Sequence, residues 1–312
     1  MAKNLGKAAS KPRRIKQAEY KSLRIQKRIK HPFRLPSVWR LSKTTAQMLW
    51  DNKNLFIGIT LIYGLLNIVL AQSLSGVTDL TTLKDSLDQF FSGNFGALST
   101  GLSVFAVLVG SAGNSTSATA GAYQLFLGLI GSLAVIWALR QVAAGTKIRI
   151  RDTYYQGMYP LIPFILVLMV VGLQFIPLLI GSTLYSLVIN NGIAVYGVEK
   201  LLWALFYGSL ALLSFYMISS SLFALYIVTL PDMTPMKALR SARTLVRYRR
   251  WTVLRKIFCL PIILLIAAAV IMLPIIIWLT PLAQWAFFAL SMFGLVAVHS
   301  YMYNLYRELL NE

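Results

Sequence analysis

Five basic side chains recur at helical spacing within residues 233–256, a stretch that contains eight Lys and Arg. They are Lys237, Arg240, Arg243, Arg247 and Arg250, and Trp251 follows the last of them. Residues three or four positions apart share one face of a helix, so the spacing predicts a helix with a cationic face. Ammonium and guanidinium groups bind phosphate oxygens through charge-assisted hydrogen bonds. The stretch therefore predicts a surface that binds an anion.

The opposite face of the same predicted helix is apolar. It carries Ala238, Leu239, Ala242, Leu245 and Val246. A helix start is predicted at Thr234 and Pro235, because threonine can cap free amides and proline suits the first turn. A cationic amphipathic helix of this kind is typical of a membrane interface, with Trp251 at the level of the headgroups.

One strongly polar residue, Gln174, lies in the middle of an apolar run. Its amide predicts a hydrogen bond to another helix. The candidate partners are the serines of the next apolar segment: Ser209, Ser214 and residues 219–221. The alternative is that Gln174 contacts a transported substrate.

No pattern typical of catalysis occurs in the chain, which has neither a Gly-rich phosphate loop nor an HExxH motif nor a Ser/His/Asp set. The single cysteine, Cys259, and the two separated histidines, His31 and His299, predict no metal site. We therefore expect no enzymatic activity, no cofactor and no metal. We expect His299 to be a packed residue between helices, and Arg140 to extend from the end of its helix to the headgroups.

The composition places these residues in a membrane protein. Hydrophobic residues make up 57% of the chain and charged residues only 13%, whereas an average soluble domain has roughly 25% charged residues. Five runs without a charged side chain each exceed the ~20 residues that a helix needs to cross a bilayer. We predict an all-α polytopic membrane protein with kinks at Pro177 and Pro274. Its six transmembrane helices are predicted at residues 55–74, 123–142, 160–189, 201–230, 257–279 and 282–303, with a break at Thr280-Pro281.

The distribution of the net charge of +20 predicts the orientation. With six spans, 28 of the 30 Lys and Arg lie at one end of the bundle, and the opposite loops contain only Lys84 and Lys200. Positive residues stay on the cytoplasmic side of a bacterial membrane. We therefore expect a multi-pass protein of the bacterial cytoplasmic (inner) membrane with both termini in the cytoplasm.

Three copies of one unit, a surface helix followed by a hairpin of two spans, form the predicted architecture. Amphipathic or polar stretches precede spans 1, 3 and 5, and a Pro-x5-Ser pattern occurs at Pro36 and again at Pro235. Residues 97–112 are apolar but short, and we predict an external helix there instead of a seventh span. Residues 1–36 are predicted to form a basic cytoplasmic arm, partly helical or disordered, and residues 37–312 the membrane domain.

Three interpretations of the basic segments remain open. They bind anionic membrane lipid, they only determine topology, or the N-terminal arm binds RNA or the ribosome, since a basic tail neutralises phosphates without reading sequence. A protein partner or a second copy of this chain is a further candidate for the same surface. For the whole chain we expect a non-enzymatic role in membrane or envelope organisation. The alternative is a channel, a transporter or an accessory subunit of a transport complex.

The segment "MKALRSARTLVRYRRWTVL" before span 5 and the ending "YMYNLYREL" carry a family resemblance. Over about residues 36–309 the chain resembles uncharacterised six-span bacterial integral membrane proteins. These include the membrane domain found in front of some glycerophosphodiesterases and the YciC-like inner-membrane proteins. The matching positions are Ala238, Leu239, Ser241, Leu245, Trp251, Tyr303 and Tyr306. The resemblance implies a membrane location and a fold, and it transfers no activity.

Overall fold

The computed structural model describes residues 36–71, 118–146, 148–247 and 249–310, and these ranges contain helices and no strand. Six helical segments are long and apolar enough to cross a membrane: Lys53–Ala71, Thr119–Ala143, Leu161–Asn190, Gly197–Ile227, Arg250–Trp278 and Pro281–Leu310. The predicted all-α fold with six membrane-spanning helices is therefore confirmed. The predicted external helix at 97–112 and nearly all of the basic arm lie outside the described residues.

The described ranges contain eleven helices. They are α1 (Val38–Asp51), α2 (Lys53–Ala71), α3 (Ala118–Ala143), α4 (Ile150–Gly157), α5 (Leu161–Leu173), α6 (Ile176–Asn190), α7 (Gly197–Ser221), α8 (Ala224–Ile227), α9 (Pro235–Val246), α10 (Arg250–Trp278) and α11 (Thr280–Leu310). Spans 1, 2, 5 and 6 are α2, α3, α10 and α11, while span 3 combines α5 with α6 and span 4 combines α7 with α8. Helix α10 begins at Arg250, where the sequence predicted a start at 257, because hydropathy marks the bilayer crossing and not the end of the helix.

Span 3 is interrupted where the sequence places Pro177. Proline has no backbone N–H, and its ring clashes with the carbonyl four residues earlier in a helix. The helix is therefore interrupted between α5 and α6. The amide of Leu178 donates a hydrogen bond to Oγ of Ser214 on α7 at 3.0 Å. The hydrogen-bonded helix is thus interrupted beside Pro177, and the kink predicted there stays a prediction. Pro274, in contrast, does not interrupt α10, which continues through it to Trp278.

Consecutive spans pack against each other as three hairpins: α2 with α3, α6 with α7, and α10 with α11. The third hairpin turns at Leu279, next to the predicted break at Thr280-Pro281. Glycine permits one of the close approaches between spans. A side chain at Gly131 on α3 would lie 3.1 Å from Tyr63 on α2 and from Leu295 on α11. The second and sixth spans therefore lie close to the first at this level.

A short helix precedes each hairpin: α1, α4 and α9, here called the surface helices. Helix α4 packs on α3 and α2, and helix α9 packs on α7, α8 and α5. Each of these two therefore contacts the hairpin that comes before it in the chain. Helix α1 has no preceding hairpin in the described residues, and it packs on α11, the last helix. This cyclic order is the one that three copies of a single unit would produce, so the packing favours the repeat, which stays a prediction.

Helix α4 lies close to the first hairpin. The phenol of Tyr154 donates a hydrogen bond to the carbonyl of Ile59 on α2 at 2.8 Å, and burial raises the pKa of Tyr154, which keeps it a donor. At the end of α4, a Cβ on Gly157 would lie 3.0 Å from the backbone of Ala134. A residue with a side chain at this position would push α4 away from α3.

Helix α1 is attached to α11 through a polar contact. Ser37 accepts a hydrogen bond from the amide of Arg40 and begins the helix. About two turns further, the buried Thr45 donates to the carbonyl of Leu41 at 2.8 Å and accepts from the side-chain amide of Asn304 at 3.0 Å. The hydroxyl of Thr45 thus both donates and accepts, as a buried hydroxyl must to avoid a desolvation cost.

Candidate functional site

The inward face of α9 consists of small residues. Ala238, Ala242 and Val246 are completely buried, one turn apart from each other. They pack into the same apolar core as residues of α5, α8 and α11. Alanine at two successive inward positions allows the backbone of α9 to lie close to the ends of the spans. The apolar side of the predicted amphipathic helix is therefore covered by protein.

The predicted basic row is divided between two helices. Lys237, Arg240 and Arg243 are exposed on α9, which ends at Val246, and Arg247 is exposed in the turn that follows. Thr234 precedes the helix without a capping hydrogen bond from its side chain, and Pro235 occupies the first turn. We refer to Lys237, Arg240, Arg243 and Arg247 as the α9 basic row.

Arg250 and Trp251 lie apart from the α9 basic row, at the start of α10. The guanidinium of Arg250 lies over the ring of Tyr216 on α7, with its central carbon 4.2 Å from the ring centroid. This distance is within the range of a cation–π contact. Trp251 is 73% exposed beside it. The predicted placement of Arg250 on the α9 face assumes one continuous helix. Helix α9 ends at Val246 and α10 begins at Arg250, so Arg250 does not belong to that face.

A groove of about 330 Å³ separates α7 from the start of α10. The residues that line it are Ser209, Leu212, Leu213, Tyr216, Ser219, Arg250, Trp251 and Leu254. Its walls are mostly leucine and aromatic side chains, and its charged residue is Arg250. We call this space the α7–α10 groove.

Gln174 lies at the break between α5 and α6. Its side-chain amide donates a hydrogen bond to Oγ of Ser221 on α7 at 2.8 Å. The predicted contact between Gln174 and a serine of span 4 is therefore confirmed. The Oε1 atom of Gln174 is buried and has no hydrogen-bond partner within the described ranges.

Arg140 contacts the end of span 4, a contact that its position in the sequence did not predict. It is half-buried, and its guanidinium donates hydrogen bonds to the carbonyls of Thr229 at 2.8 Å and Tyr226 at 3.4 Å and also to the hydroxyl of Thr229. These groups lie just after or within α8, at the end of span 4. Arg140 therefore satisfies carbonyls that the end of a helix leaves without partners.

His299 is packed between helices, as expected. Its Nδ1 atom lies 3.0 Å from the hydroxyl of Tyr226, and the two rings are 6.0 Å apart. The rings of Tyr303 and Tyr306 continue this cluster around Tyr226. The tyrosines near the end of the chain thus form contacts between spans 4 and 6.

Sequence reasoning missed one buried cation, Lys256. Its side chain is 3% exposed, and its ammonium donates to the carbonyl of Pro36, just before α1. The hydroxyl of Tyr301 also reaches this turn and donates to the Lys256 carbonyl at 3.2 Å. A signal was present, because Lys256 falls at helical spacing between the buried Val253 and Leu260. The start of the described chain is therefore attached to the third hairpin.

Comparison with known proteins does not identify the chain. No family model matches it, and searches of curated proteins and of solved structures also find no match. Among the described side chains, no group of three or more His, Cys, Asp or Glu is placed to hold a metal ion. The fold and the contacts above are thus the basis for any functional conclusion.

Proposed function

We propose that this chain is a non-enzymatic multi-pass protein of a bacterial cytoplasmic membrane whose cytoplasmic surface binds anionic phospholipid in support of membrane or envelope organisation. In this proposal the surface helices lie at the cytoplasmic ends of the spans, where 28 of the 30 Lys and Arg are expected. One observation carries the proposal: the exposed side chains of α9 include Lys237, Arg240 and Arg243 and no acidic residue, while Ala238, Ala242 and Val246 are buried against protein.

The burial of the apolar face determines what kind of lipid contact α9 can make. An isolated amphipathic helix inserts its apolar face into the acyl boundary. Helix α9 cannot do so, because Ala238, Ala242 and Val246 are already buried in the protein. Its contact with the leaflet is electrostatic, worth about 1 kcal/mol for each Lys or Arg close to anionic headgroups. Such a contact weakens as salt shortens the screening length.

The lipid composition around the protein tests this proposal. Full-length protein is reconstituted in bilayers of equal phosphatidylglycerol and phosphatidylcholine, extracted with its nearest lipids by an amphipathic polymer, and analysed for both lipids. We expect phosphatidylglycerol to be enriched around the wild type, and less so when reconstitution and extraction are carried out in high salt. Around the triple variant Lys237→Gln, Arg240→Gln and Arg243→Gln, the ratio of phosphatidylglycerol to phosphatidylcholine should approach that of the whole bilayer.

A matched single substitution provides the control. Arg240→Gln and Lys200→Gln each remove one exposed positive charge, from opposite ends of the bundle. Only the Arg240 variant should reduce the enrichment, if the anionic lipid is bound at the α9 end. Equal enrichment in the wild type and the triple variant would exclude lipid binding by the α9 basic row.

The orientation is tested separately, by cysteine labelling in intact cells. In a Cys259→Ala background, Asn191→Cys lies in the exposed loop between spans 3 and 4, and Ser241→Cys lies exposed on α9. A membrane-impermeant maleimide should label Asn191→Cys in intact cells and Ser241→Cys only after permeabilisation. The reverse pattern would refute a cytoplasmic α9.

We also propose that the chain is related to the six-span bacterial membrane proteins that it resembles. Support comes from the order of a surface helix before each hairpin and from Trp251 at the start of α10. The contacts of Tyr303 and Tyr306 with Tyr226 give the tyrosine-rich ending a role in packing. The relationship, if correct, assigns no catalytic residue to this chain.

Transport is a second candidate function, favoured by the buried Oε1 of Gln174 beside the break in span 3. Backbone groups at a break in a transmembrane helix can contact a solute. In this case Gln174→Leu should abolish flux of a transported solute while the amount of folded protein is unchanged. Unchanged flux of the solute would leave Gln174 a helix–helix contact through Ser221.

A further inference from the structure

We propose that the α7–α10 groove binds one anionic diacyl phospholipid, with an acyl chain along the groove and the phosphate at Arg250. The inference rests on the proposed function, because it requires an anionic leaflet at the α9 end of the spans. It goes further in assigning a discrete site for a single lipid, on different residues from the α9 basic row.

The dimensions of the groove fit the acyl part of one leaflet. Its α7 wall extends from Ser209 to Ser219, and ten residues of helix cover roughly 15 Å. The hydrocarbon core of a bilayer is about 30 Å thick, so this length is about half of it. An acyl chain from one leaflet would therefore end where the groove ends.

In a bilayer crossed by spans 4 and 5, the groove walls would face the hydrocarbon and not the aqueous phase. Leu212 and Leu213 belong to span 4 and are exposed at the protein surface, and Leu254 belongs to span 5. In a bilayer these side chains can be reached by lipid and not by a soluble ligand. The groove residues thus favour a lipid over a metabolite from the cytoplasm.

Charge complementarity selects an anionic lipid. Arg250 lies at the end of the groove nearest to α9, and none of the residues that line the groove is acidic. Stacking on Tyr216 holds the guanidinium in one place, while its planar N–H groups can still bind a phosphate in the plane of the guanidinium. The exposed Trp251 beside it is of the type enriched at headgroup level. A zwitterionic lipid would bring a second cation next to Arg250 and bind less well.

Native mass spectrometry of the full-length protein measures the bound lipid directly. Detergent micelles are supplemented with phosphatidylglycerol or with phosphatidylcholine of the same acyl composition. We expect one phosphatidylglycerol to remain bound after the detergent is removed, and phosphatidylcholine to dissociate. Arg250→Gln should reduce the occupancy by phosphatidylglycerol about fivefold, as expected for one cation near an anionic headgroup. Equal occupancy by the two lipids, or by the wild type and Arg250→Gln, would overturn the assignment.

A matched substitution on the same helix controls for charge. Arg255→Gln removes an equally cationic side chain, exposed on α10 and outside the groove. Its phosphatidylglycerol occupancy should equal that of the wild type. A similar loss in both variants would show a general effect of charge and would refute a site at Arg250.

The acyl part of the site is tested by filling the groove. Leu213→Trp places a bulky indole ring in the groove without changing the charge. It should reduce the occupancy by phosphatidylglycerol and leave the midpoint of thermal unfolding unchanged. Glycerol 3-phosphate, which has the phosphate without acyl chains, should not displace the lipid. Displacement by glycerol 3-phosphate would show a site for phosphate alone and overturn the lipid assignment.

A measurement on the wild type alone remains decisive if the variants do not fold. Phosphatidylglycerol with a photoactivatable diazirine in one acyl chain should form adducts within residues 209–219 and 250–254. Adducts confined to other spans would overturn the proposal.

The failure of one lipid proposal can be distinguished from the failure of the other. None of the residues in the α9 triple variant lines the α7–α10 groove, so this variant should keep the single bound lipid while it loses leaflet enrichment. The Arg250→Gln variant should lose the single bound lipid while it keeps the enrichment of phosphatidylglycerol around the protein.

Discussion

Helices α1 and α9 both precede a hairpin, but they differ on both of their faces. On the outside, α1 presents Trp39 and Trp50, which are 79% and 72% exposed, together with the exposed cations Arg40 and Lys43. Helix α9 presents the cations of the α9 basic row. Indole rings favour the membrane interface through their amphipathic shape, whereas cations are attracted by the negative surface potential. The two helices thus differ in their exposed indole rings, which α1 has and α9 lacks.

The inward faces differ in a corresponding way. Helix α1 is attached to α11 by a directed hydrogen bond between Asn304 and Thr45. Helix α9 is attached by the close approach of Ala238 and Ala242 to the core. A hydrogen bond tolerates small shifts of the backbone, whereas a contact between small residues fails when one side chain becomes larger. We therefore expect α9 to be the more sensitive of the two to changes in volume.

The largest effect is expected from Ala242→Leu. Adding three carbon atoms where Ala242 is completely buried should lower the free energy of unfolding by about 1–3 kcal/mol. The midpoint of thermal unfolding in detergent measures it. Ser241→Leu is the control, since its neighbouring position is exposed. Equal stability of the two variants would mean that α9 does not pack through its alanines.

A smaller effect is expected at the α1 contact. Loss of the Asn304–Thr45 hydrogen bond should cost about 1 kcal/mol. A double-mutant cycle with Asn304→Leu and Thr45→Val isolates this contribution, because the second change should have little further effect once the first is present. Fully additive effects would contradict the contact between α1 and α11.

The smallest effect concerns the two outward faces. Phosphatidylglycerol should stabilise the wild type against heat slightly more than phosphatidylcholine does, and high salt should remove the difference, because salt screens the attraction between exposed cations and anionic headgroups. The α9 triple variant should lose most of this salt-sensitive difference. Trp39→Ala with Trp50→Ala should instead reduce stabilisation by both lipids and leave the effect of salt unchanged. Identical behaviour of the two variants would remove the distinction between α1 and α9.

The contact of a single residue could be predicted from the sequence only where its side chain has one kind of partner available. The contact of Gln174 with a serine of span 4 followed from the sequence, because an amide within hydrocarbon needs a hydrogen-bond partner and span 4 is rich in serine. The contact of Arg140 with the carbonyl of Thr229 could not be predicted from the sequence. Its position at a helix end is compatible with headgroups and with carbonyls of another span, and the neighbouring end of span 4 determines which of them it contacts.

The Pro-x5-Ser pattern aligns positions of α1 and α9 that are not equivalent in the two helices. Pro36 precedes the first fully buried residue of its helix, Leu41, by five positions, whereas Pro235 precedes Ala238 by three. Pro36 lies two residues before the first residue of its helix, Val38, whereas Pro235 is the first residue of its own helix. Counted from the start of each helix, Leu41 and Ala238 occupy the same position, so the buried faces correspond and the prolines do not.

Composition and charge alone predicted an all-helical fold and six segments long and apolar enough to cross a membrane, which the described residues confirm, and they predict that the cations are concentrated at one end. These properties depend on the transfer of side chains and backbone between water and hydrocarbon, which each segment experiences independently. Tertiary structure alone decided that the basic row is divided between α9 and α10, that Lys256 and Arg140 bind backbone carbonyls, and that α1 packs on the last helix. Those outcomes depend on which distant segments become neighbours, and no local pattern contains that information.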